Sequence, residues 1–275
     1  MSAYLHVKME TVDLHIFDIT CIPADDDVSA CSALVAQSRA KDQICQYFVR
    51  EDRCRCLGGA LLLNHAVGLE NIKRTDVSMR PIKPCHHSRL FNLSHDEDMV
   101  VLATTHSQSV GVDVMKIKLS NSSWSCEDML ANLRSIFSDP EWRYIHSGSE
   151  QSRLERFYQI WTAKEAYVKC IGTGLYVEPQ DLELSGFPSA GSAAEDFRLS
   201  VNHKGHIEAS NEFTIRVFSS IVTGYIIAVC VGPVHLCDPS WTQFVDPRLA
   251  CPAGDTADVL IGSVTHHSLV DLVHS

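Results

Sequence analysis

One segment in the second half of the chain combines the spacing of a long helix with charged side chains on its apolar side. Residues 154–172, LERFYQIWTAKEAYVKCIG, repeat apolar side chains every three, four or seven residues, which places them on one helix face. The pattern predicts a helix over residues 149–171 that ends at Gly172, a typical C-terminal glycine. Its apolar stripe includes Glu165 and Lys169.

The position of Glu165 has two interpretations. An ionised carboxylate on an apolar helix face costs several kcal/mol unless a cation, a metal or several hydrogen bonds compensate for its burial. Alternatively, Glu165 and Lys169 form an i,i+4 pair at the edge of the stripe, which stabilises a helix by about 0.3–0.5 kcal/mol. The spacing alone leaves both interpretations open.

A second carboxylate interrupts a short apolar strand, GVDV at residues 111–114. In a strand, Val112 and Val114 share one face while Asp113 points to the other. If that face meets the helix with Glu165, two carboxylates converge into a site for a hard divalent cation. Mg²⁺ is the first candidate because it keeps several waters and binds phosphate oxygens of a substrate. Taken alone, Asp113 also fits a turn or a helix cap.

The segment FNLSH at residues 91–95 is a third candidate. A hydrolase in which His95 activates Ser94 is excluded, because adjacent residues of a strand point to opposite faces. A phosphate-binding role remains, since a hydroxyl, an imidazole and backbone N–H groups at a strand end can all donate to phosphate oxygens. The alternative is a strand end without function.

Composition limits the classes of protein that the chain can represent. It has 275 residues, 45% hydrophobic and 21% charged, which suits one large domain or two of about 130 residues. The net charge of −11 argues against general binding of nucleic acid or anionic lipid. Residues 39–90, however, contain ten basic and five acidic side chains, so a local site for a polyanionic ligand is compatible with the total.

Cysteine usage and hydropathy indicate a cytoplasmic protein. The eleven cysteines are odd in number and irregularly spaced, and no apolar signal segment is visible at the start of the sequence. No apolar run approaches the roughly 20 residues of a membrane-spanning helix. Cys54-Arg55-Cys56 and Cys85-His86-His87 do not have the paired spacing of structural zinc ligands.

The order of predicted elements favours an α+β fold. Helices are predicted near Val28, from Asp42 and from Ser125, and in each half of the chain they precede a few short strands. In the first half these strands are predicted at residues 90–94, 99–105 and 109–115. Residues 74–89, with two prolines, are predicted to be an irregular basic loop. The sequence divides into an N-terminal half at 1–117, a C-terminal half at 118–232 and a poorly structured extension at 233–275, where regular periodicity is lost.

Five motifs in a fixed order resemble a known family. They are Arg80-Pro81, FNLSH, GVDVM, FSDPEW at 137–142 and WTAKEAYVK at 161–169. Together they resemble the 4′-phosphopantetheinyl transferases of the larger type, which activate peptide, polyketide, fatty acid and lysine-biosynthesis enzymes. The resemblance covers about residues 43–231. It implies a pseudo-dimeric monomer of two similar halves, each a small antiparallel sheet packed on helices, with the active site between them.

The resemblance also implies the activity and its partners. 4′-Phosphopantetheine is transferred from coenzyme A to a serine of an apo acyl or peptidyl carrier protein, with Mg²⁺, and adenosine 3′,5′-bisphosphate is released. The expected partners are carrier domains of fatty acid, polyketide, peptide or aminoadipate-reducing enzymes, with no nucleic acid and no membrane. The implied site residues are Asp113 and Glu165 for the metal, Glu165 or Lys169 as the base, and Arg55, Arg80, Ser94, His95 and Lys169 for coenzyme A.

Two positions depart from the family pattern. Many bacterial members have a third carboxylate two residues after the Asp of GVDV, whereas this chain has Met115, as animal members do. Gln43 occupies a position where a basic residue is usual. The competing hypotheses are a non-catalytic module that binds carrier proteins or nucleotides, and a zinc-dependent module of cysteine and histidine.

Overall fold

A computed structural model describes residues 10–22, 42, 44–68, 73–75, 81–85, 89–119, 123–189, 196–204, 212–243 and 259–273 of the chain. The helices are α1 (Arg50–Ala66), α2 (Cys126–Asn132), α3 (Asp139–His146), α4 (Glu150–Ile171), α5 (Pro239–Thr242) and α6 (Leu269–Val273). The strands are β1 (Glu10–Asp18), β2 (Lys73–Thr75), β3 (Pro81–Cys85), β4 (Leu90–Asp96), β5 (Met99–Thr105), β6 (Ser109–Lys116), β7 (Leu182–Ser185), β8 (Asp196–His203), β9 (Thr214–Phe218), β10 (Tyr225–Gly232) and β11 (Val259–His267).

The described strands form two main sheets and one small hairpin. The first sheet has the order β11-β1-β5-β4, and the second has the order β6-β10-β9-β8-β7. β1 and β11 are parallel, whereas the other described pairs are antiparallel. β2 and β3 pair only with each other.

The two sheets pack face to face, with a helix on each outer side. This follows from the alternation of apolar side chains along the strands, which directs successive residues to opposite faces. Leu14 of β1, Val101 of β5 and Val112 of β6 share the core between the sheets. Phe17 of β1 packs towards α1, and Ile226 of β10 packs towards α4. The result is a four-layer stack in the order α1, first sheet, second sheet, α4.

Local sequence signals explain the ends of the helices. Gly172 follows α4 with φ of 78°, a left-handed conformation that favours glycine, and its N–H donates to the Val168 carbonyl. Ser149 caps the first turn of α4. Capping boxes begin the two preceding helices, from Ser125 and Asp128 for α2 and from Ser138 and Glu141 for α3.

The α+β class and the strands predicted in residues 90–116 are confirmed. Residues 73–75 and 81–85 form a two-stranded hairpin, so the prediction of an irregular loop there is wrong. β6 belongs to the second sheet, although the predicted boundary at 117 assigns it to the first half. The predicted helix near Val28 lies outside the described residues.

The C-terminal segment also differs from the prediction. The extension at 233–275 was expected to lack regular structure, but Val259–His267 is a strand that pairs with β1, and Leu272 of α6 is buried in the core beside α1. The sequence misled because most of this strand is exposed, and because it adds to an edge that only the folded N-terminal half provides. Every helix within the described ranges is too short or too polar to span a bilayer.

Candidate active site

A polar seam joins the two sheets where β4 passes β6. Asn92, Ser94 and Asp96 alternate along β4, so all three point towards β6. The Asn92 side-chain oxygen accepts a hydrogen bond from the Val112 N–H at 2.9 Å, and the Asp96 carboxylate accepts one from the Lys116 N–H at 2.8 Å. These bonds fix the position of β6 relative to β4.

The middle residue of the seam meets a buried carboxylate. The Ser94 hydroxyl donates to Asp113 Oδ1 at 2.9 Å. The Lys169 ammonium, reaching down from α4, donates to the same oxygen at 2.6 Å and to Ser94 Oγ at 2.8 Å. Asp113 is only 4% exposed, so this triangle of side chains is largely sheltered from water.

Asp113 keeps one oxygen unpaired. Asp113 Oδ2 is buried and has no hydrogen-bond partner among the described atoms. Burial raises the pKa of the Asp113 carboxyl, and the Lys169 ammonium and the Ser94 hydroxyl oppose part of that increase. An unpaired buried carboxylate oxygen is costly, and a cation beside it would remove the cost.

Glu165 lies one helical turn before Lys169 on α4, close enough to Asp113 for the two carboxylates to interact. Burial raises the pKa of Glu165, the charge of Asp113 raises it further, and Lys169 opposes both effects. No hydrogen bond or ion pair to Glu165 is found in the described part of the chain. Two adjacent carboxylates that repel each other, with one unpaired oxygen on Asp113, fit a hard divalent cation such as Mg²⁺.

Gly111 sets the distance between α4 and β6. A methyl group at this position would overlap the Ala166 carbonyl oxygen and the Cys170 backbone nitrogen. The missing side chain therefore lets the helix backbone lie directly on the strand. Glu165 and Lys169 are next to the two helix residues, Ala166 and Cys170, that contact Gly111. The close approach of the helix therefore places both side chains near Asp113.

His95 and Arg55 lie beside the carboxylate site. His95 is exposed, on the opposite face of β4 from Ser94. Partial desolvation of the ring lowers the pKa of His95, and repulsion by Arg55 and Lys169 lowers it further. Arg55 of α1 is held by the Asp52 carboxylate at 2.5 Å and by the Glu97 carbonyl at 2.7 Å. His95, Arg55 and Lys169 thus place three cationic or ionisable side chains at one edge of the site, which suits an anionic ligand.

A buried ion pair fixes α4 on its far side. The Lys164 ammonium donates to the Glu141 carboxylate at 2.8 Å and to the carbonyls of Ile136 and Pro179 at 3.0 Å. Glu141 also accepts the Leu184 N–H at 2.8 Å, and both charged side chains are almost fully buried. The pair ties α3, α4 and β7 together and so holds the helix that presents Glu165 and Lys169.

Most of the residues proposed from the sequence are brought together. Ser94, Asp113 and Lys169 are in direct contact, and Glu165 and His95 are coupled to them electrostatically. Arg55 is coupled to His95. Met115, which replaces the third carboxylate, is half-buried and packs against the core around α4. Arg80 and Gln43 lie outside the described residues.

Sequence reasoning missed the residues that hold the site in place. The alternation of Asn92, Ser94 and Asp96 at spacing two was a usable signal for a polar face of β4. Lys164 lies among apolar residues of α4, and Glu141 is in the FSDPEW motif, but nothing local indicates that they meet. Pairing over 23 residues depends on how α3 folds back onto α4.

Comparisons with known proteins show what the chain is similar to. Residues 109–230, which include Asp113, Glu165 and Lys169, match the family model described as 4′-phosphopantetheinyl transferase superfamily. The chain is 32% identical to a phosphopantetheinyl transferase of Thraustochytrium sp. over 153 residues, which are 50% of this chain and 53% of the relative.

Two further relatives come from distant organisms. The L-aminoadipate-semialdehyde dehydrogenase-phosphopantetheinyl transferase of Xenopus laevis is 39% identical over 38% of this chain and 34% of its own length. The 4′-phosphopantetheinyl transferase gsp of Aneurinibacillus migulanus is 30% identical over 48% of this chain and 56% of its own length. The chain thus spans about half the length of such relatives, or less. Residues 109–230 of the chain are similar to the 4′-phosphopantetheinyl transferase superfamily.

Proposed function

We propose that the protein transfers 4′-phosphopantetheine from coenzyme A to a serine hydroxyl of an apo carrier protein, releasing adenosine 3′,5′-bisphosphate. The observation that carries the proposal is the buried Asp113 carboxylate, whose Oδ2 has no partner among the described atoms, facing Glu165 within the segment matched to the superfamily. No nucleophile from this chain is required, because the acceptor serine belongs to the carrier.

Asp113 and Glu165 are the proposed Mg²⁺ ligands. When bound, Mg²⁺ supplies positive charge that neutralises the pyrophosphate oxygens of coenzyme A. Phosphoryl transfer depends mainly on positioning and charge neutralisation, so the protein's task is to hold the pyrophosphate against the incoming hydroxyl. The fixed geometry of β4, β6 and α4 serves that task.

Glu165 is the proposed general base, acting directly or through a bound water. In the metal-free protein, burial and the charge of Asp113 raise the pKa of Glu165. With Mg²⁺ bound, a water held beside Glu165 would be the group that takes the serine proton. Lys169 is the alternative base from the sequence, but as an ammonium it donates to Asp113 and Ser94 and has no lone pair to offer. Its proposed role is therefore to donate to a phosphate oxygen and to hold Asp113.

The other proposed contacts of coenzyme A are His95, Arg55, Arg80 and Ser94. His95 is exposed at the edge of the site, and Arg55 is electrostatically coupled to it. Ser94 donates its single O–H to Asp113, so a phosphate contact from Ser94 requires this bond to be exchanged. For Arg80 the support is the sequence motif alone. The proposed acceptors are acyl, peptidyl or aminoadipate-reductase carrier domains, in keeping with the relatives' names.

Mass spectrometry of a carrier tests the proposal directly. The protein is incubated with coenzyme A, Mg²⁺ and several unrelated apo carriers, and each carrier is weighed. A gain equal to the phosphopantetheine arm is expected on at least one of them. No gain on any carrier would favour a non-catalytic binding module instead.

Two variants test the assignment of the carboxylates. Asp113→Ala and Glu165→Ala should each abolish transfer while the protein remains folded. Glu155→Ala, on the same helix and equally half-buried, is the matched control and should retain near wild-type turnover. Wild-type turnover of either Asp113→Ala or Glu165→Ala would show that the metal assignment is wrong.

A further inference from the structure

Three histidines from distant parts of the chain meet on the side of the first sheet that faces α1. His15 is on β1, His65 is in the last turn of α1, and His267 ends β11. One ring nitrogen from each lies within 4.8 Å of the other two. The ring centroids are 4.8 to 6.1 Å apart, so each ring contacts both others. The cluster is separate from the carboxylate site, which uses β4, β6 and α4.

The spacing of the nitrogens is close to that of a metal site. Imidazole nitrogens bind Zn²⁺ at about 2.0–2.1 Å, which places two nitrogens of a tetrahedral site about 3.3 Å apart. His15 Nδ1 and His267 Nε2 are already 3.0 Å apart. The third ligand, His65, is exposed at the end of α1.

A hydrogen bond between two rings does not by itself explain the cluster. The contact of His15 with His267 uses one nitrogen of each ring, and no atom of His65 takes part in it. The contact therefore does not explain why the His65 ring packs against the other two. Three protonated imidazoles at this distance would repel one another, so the arrangement suits neutral rings, whose lone pairs are metal ligands.

We propose that His15, His65 and His267 bind one Zn²⁺ ion, which fastens β11 and α6 to β1 and α1. Three neutral imidazole nitrogens suit a borderline metal such as Zn²⁺ and do not suit Mg²⁺, which prefers oxygen ligands. The fourth coordination position is left to water. The three ligands come from the three elements that must stay together for the C-terminal segment to remain on the first sheet.

Zinc titration of the full chain tests the site. The protein is stripped with EDTA, dialysed, kept in excess Mg²⁺ so that the carboxylate site does not compete, and titrated with Zn²⁺ against a chromophoric chelator. One Zn²⁺ per chain is expected. His65→Ala and His267→Ala should each weaken binding by at least about tenfold, since even loss of a residue that only orients a ligand costs about 10–100-fold.

The matched control is His266→Ala. His266 is exposed and neighbours His267 on β11, but alternation places its side chain on the other face of the strand. Zinc affinity within about twofold of wild type is expected for this variant. Co²⁺ substituted for Zn²⁺ should give the visible absorption of a four-coordinate site in the wild type and in His266→Ala, but not in His65→Ala.

Hydrogen exchange tests the fastening role without reference to enzymatic activity. Zn²⁺ should slow amide exchange in residues 259–273 of the wild type and of His266→Ala, but not of His65→Ala. Absence of saturable binding, or equal affinity in His65→Ala and the wild type, would overturn the site, because zinc held by cysteines would survive that substitution. Unchanged exchange in 259–273 despite binding would overturn the fastening role.

Discussion

At the scale of single residues, Asp113 combines a cost to folding with a role in the proposed chemistry. Burial raises its pKa above the usual 3.8, so the folded protein binds a proton at Asp113 more tightly than the unfolded chain does. The contribution of Asp113 to the free energy of unfolding is therefore greatest below about pH 3.8 and is lost as pH rises through the folded-state pKa.

Asp113→Asn removes the free-energy cost of burying an ionised carboxylate, and it also removes the proposed metal ligand. Transfer should be abolished, while the free energy of unfolding at pH 7 in EDTA should stay within about 1 kcal/mol of wild type or exceed it, because Lys169 is 29% exposed and can be hydrated. Urea unfolding at pH 7 and the carrier mass assay measure the two effects. A much larger loss of stability would mean that the ion pair with Lys169 outweighs the burial of the carboxylate.

At the scale of elements, the contact of α4 with β6 at Gly111 decides whether the site is assembled. Gly111→Ala should push the helix away from the strand, because the new methyl group meets backbone atoms of Ala166 and Cys170 that cannot rotate aside. We expect a loss of about 1–3 kcal/mol of stability and a large decrease in transfer. Urea unfolding and the carrier assay provide the measurements.

Gly59→Ala is the control for that substitution. A methyl group at Gly59 on α1 meets only the flexible end of Leu93, at 3.0 Å, and alanine favours a helix over glycine by about 1 kcal/mol. Stability and transfer should both remain near wild type. If Gly111→Ala behaved in the same way, the close approach at Gly111 would not be what places Glu165 and Lys169.

The buried pair of Lys164 and Glu141 supports the same helix from its other side. Lys164→Met should destabilise the protein by about 3–5 kcal/mol, because the Glu141 charge and two carbonyl groups lose their partner. Arg153→Met on α4 is the control, since the Arg153–Glu127 pair is largely exposed and should contribute less than about 1 kcal/mol. Chemical unfolding measures the free energy of unfolding of both variants. Equal losses would show that the buried Lys164–Glu141 pair contributes no more than the exposed Arg153–Glu127 pair.

Elements were predictable where neighbours in the sequence determine them. The three-and-four spacing up to Ile171 and the glycine after it predicted α4 almost to the residue, and the short strands predicted in residues 90–115 correspond to β4, β5 and β6. The hairpin of β2 and β3 was missed because Pro81 and Pro84 argue against strands, although proline is tolerated where a strand lies at an edge.

The candidate site was predictable in its residue types but not in its arrangement. A carboxylate inside GVDV and another on an apolar helix face indicated charge that needed a partner. That Lys169 would bind both Ser94 and Asp113, and that three histidines would meet, depends on contacts between residues far apart in the sequence. No local pattern encodes such contacts.

At the scale of the whole molecule, an acidic protein is proposed to bind a polyphosphate. The net charge of −11 is spread over the chain, whereas Arg55 and Lys169 act together on His95 at the site. Charges beyond about 8–10 Å are largely screened at physiological ionic strength, so the local cations decide whether coenzyme A binds. The total charge then disfavours non-specific polyanions without excluding this ligand.

The C-terminal segment belongs to the N-terminal half in three dimensions, and this leads to a prediction for a chain ending at residue 258. Such a chain loses β11, which pairs with β1 along most of its length, and loses Leu272 from the core beside α1. An exposed edge of β1 is a template for pairing with another molecule. We expect a lower melting temperature, faster amide exchange in β1 and α1 than in α4, and oligomers in sedimentation experiments.

Leu272→Ala separates the core contribution from that of the strand. It removes a side chain that is 3% exposed but keeps β11 in place, so it should cost about 2 kcal/mol without causing association. Oligomers in the truncated chain but not in Leu272→Ala would show that β11 protects the edge of β1. A truncated chain that stays monomeric with an unchanged melting temperature would show instead that the first sheet is complete without it.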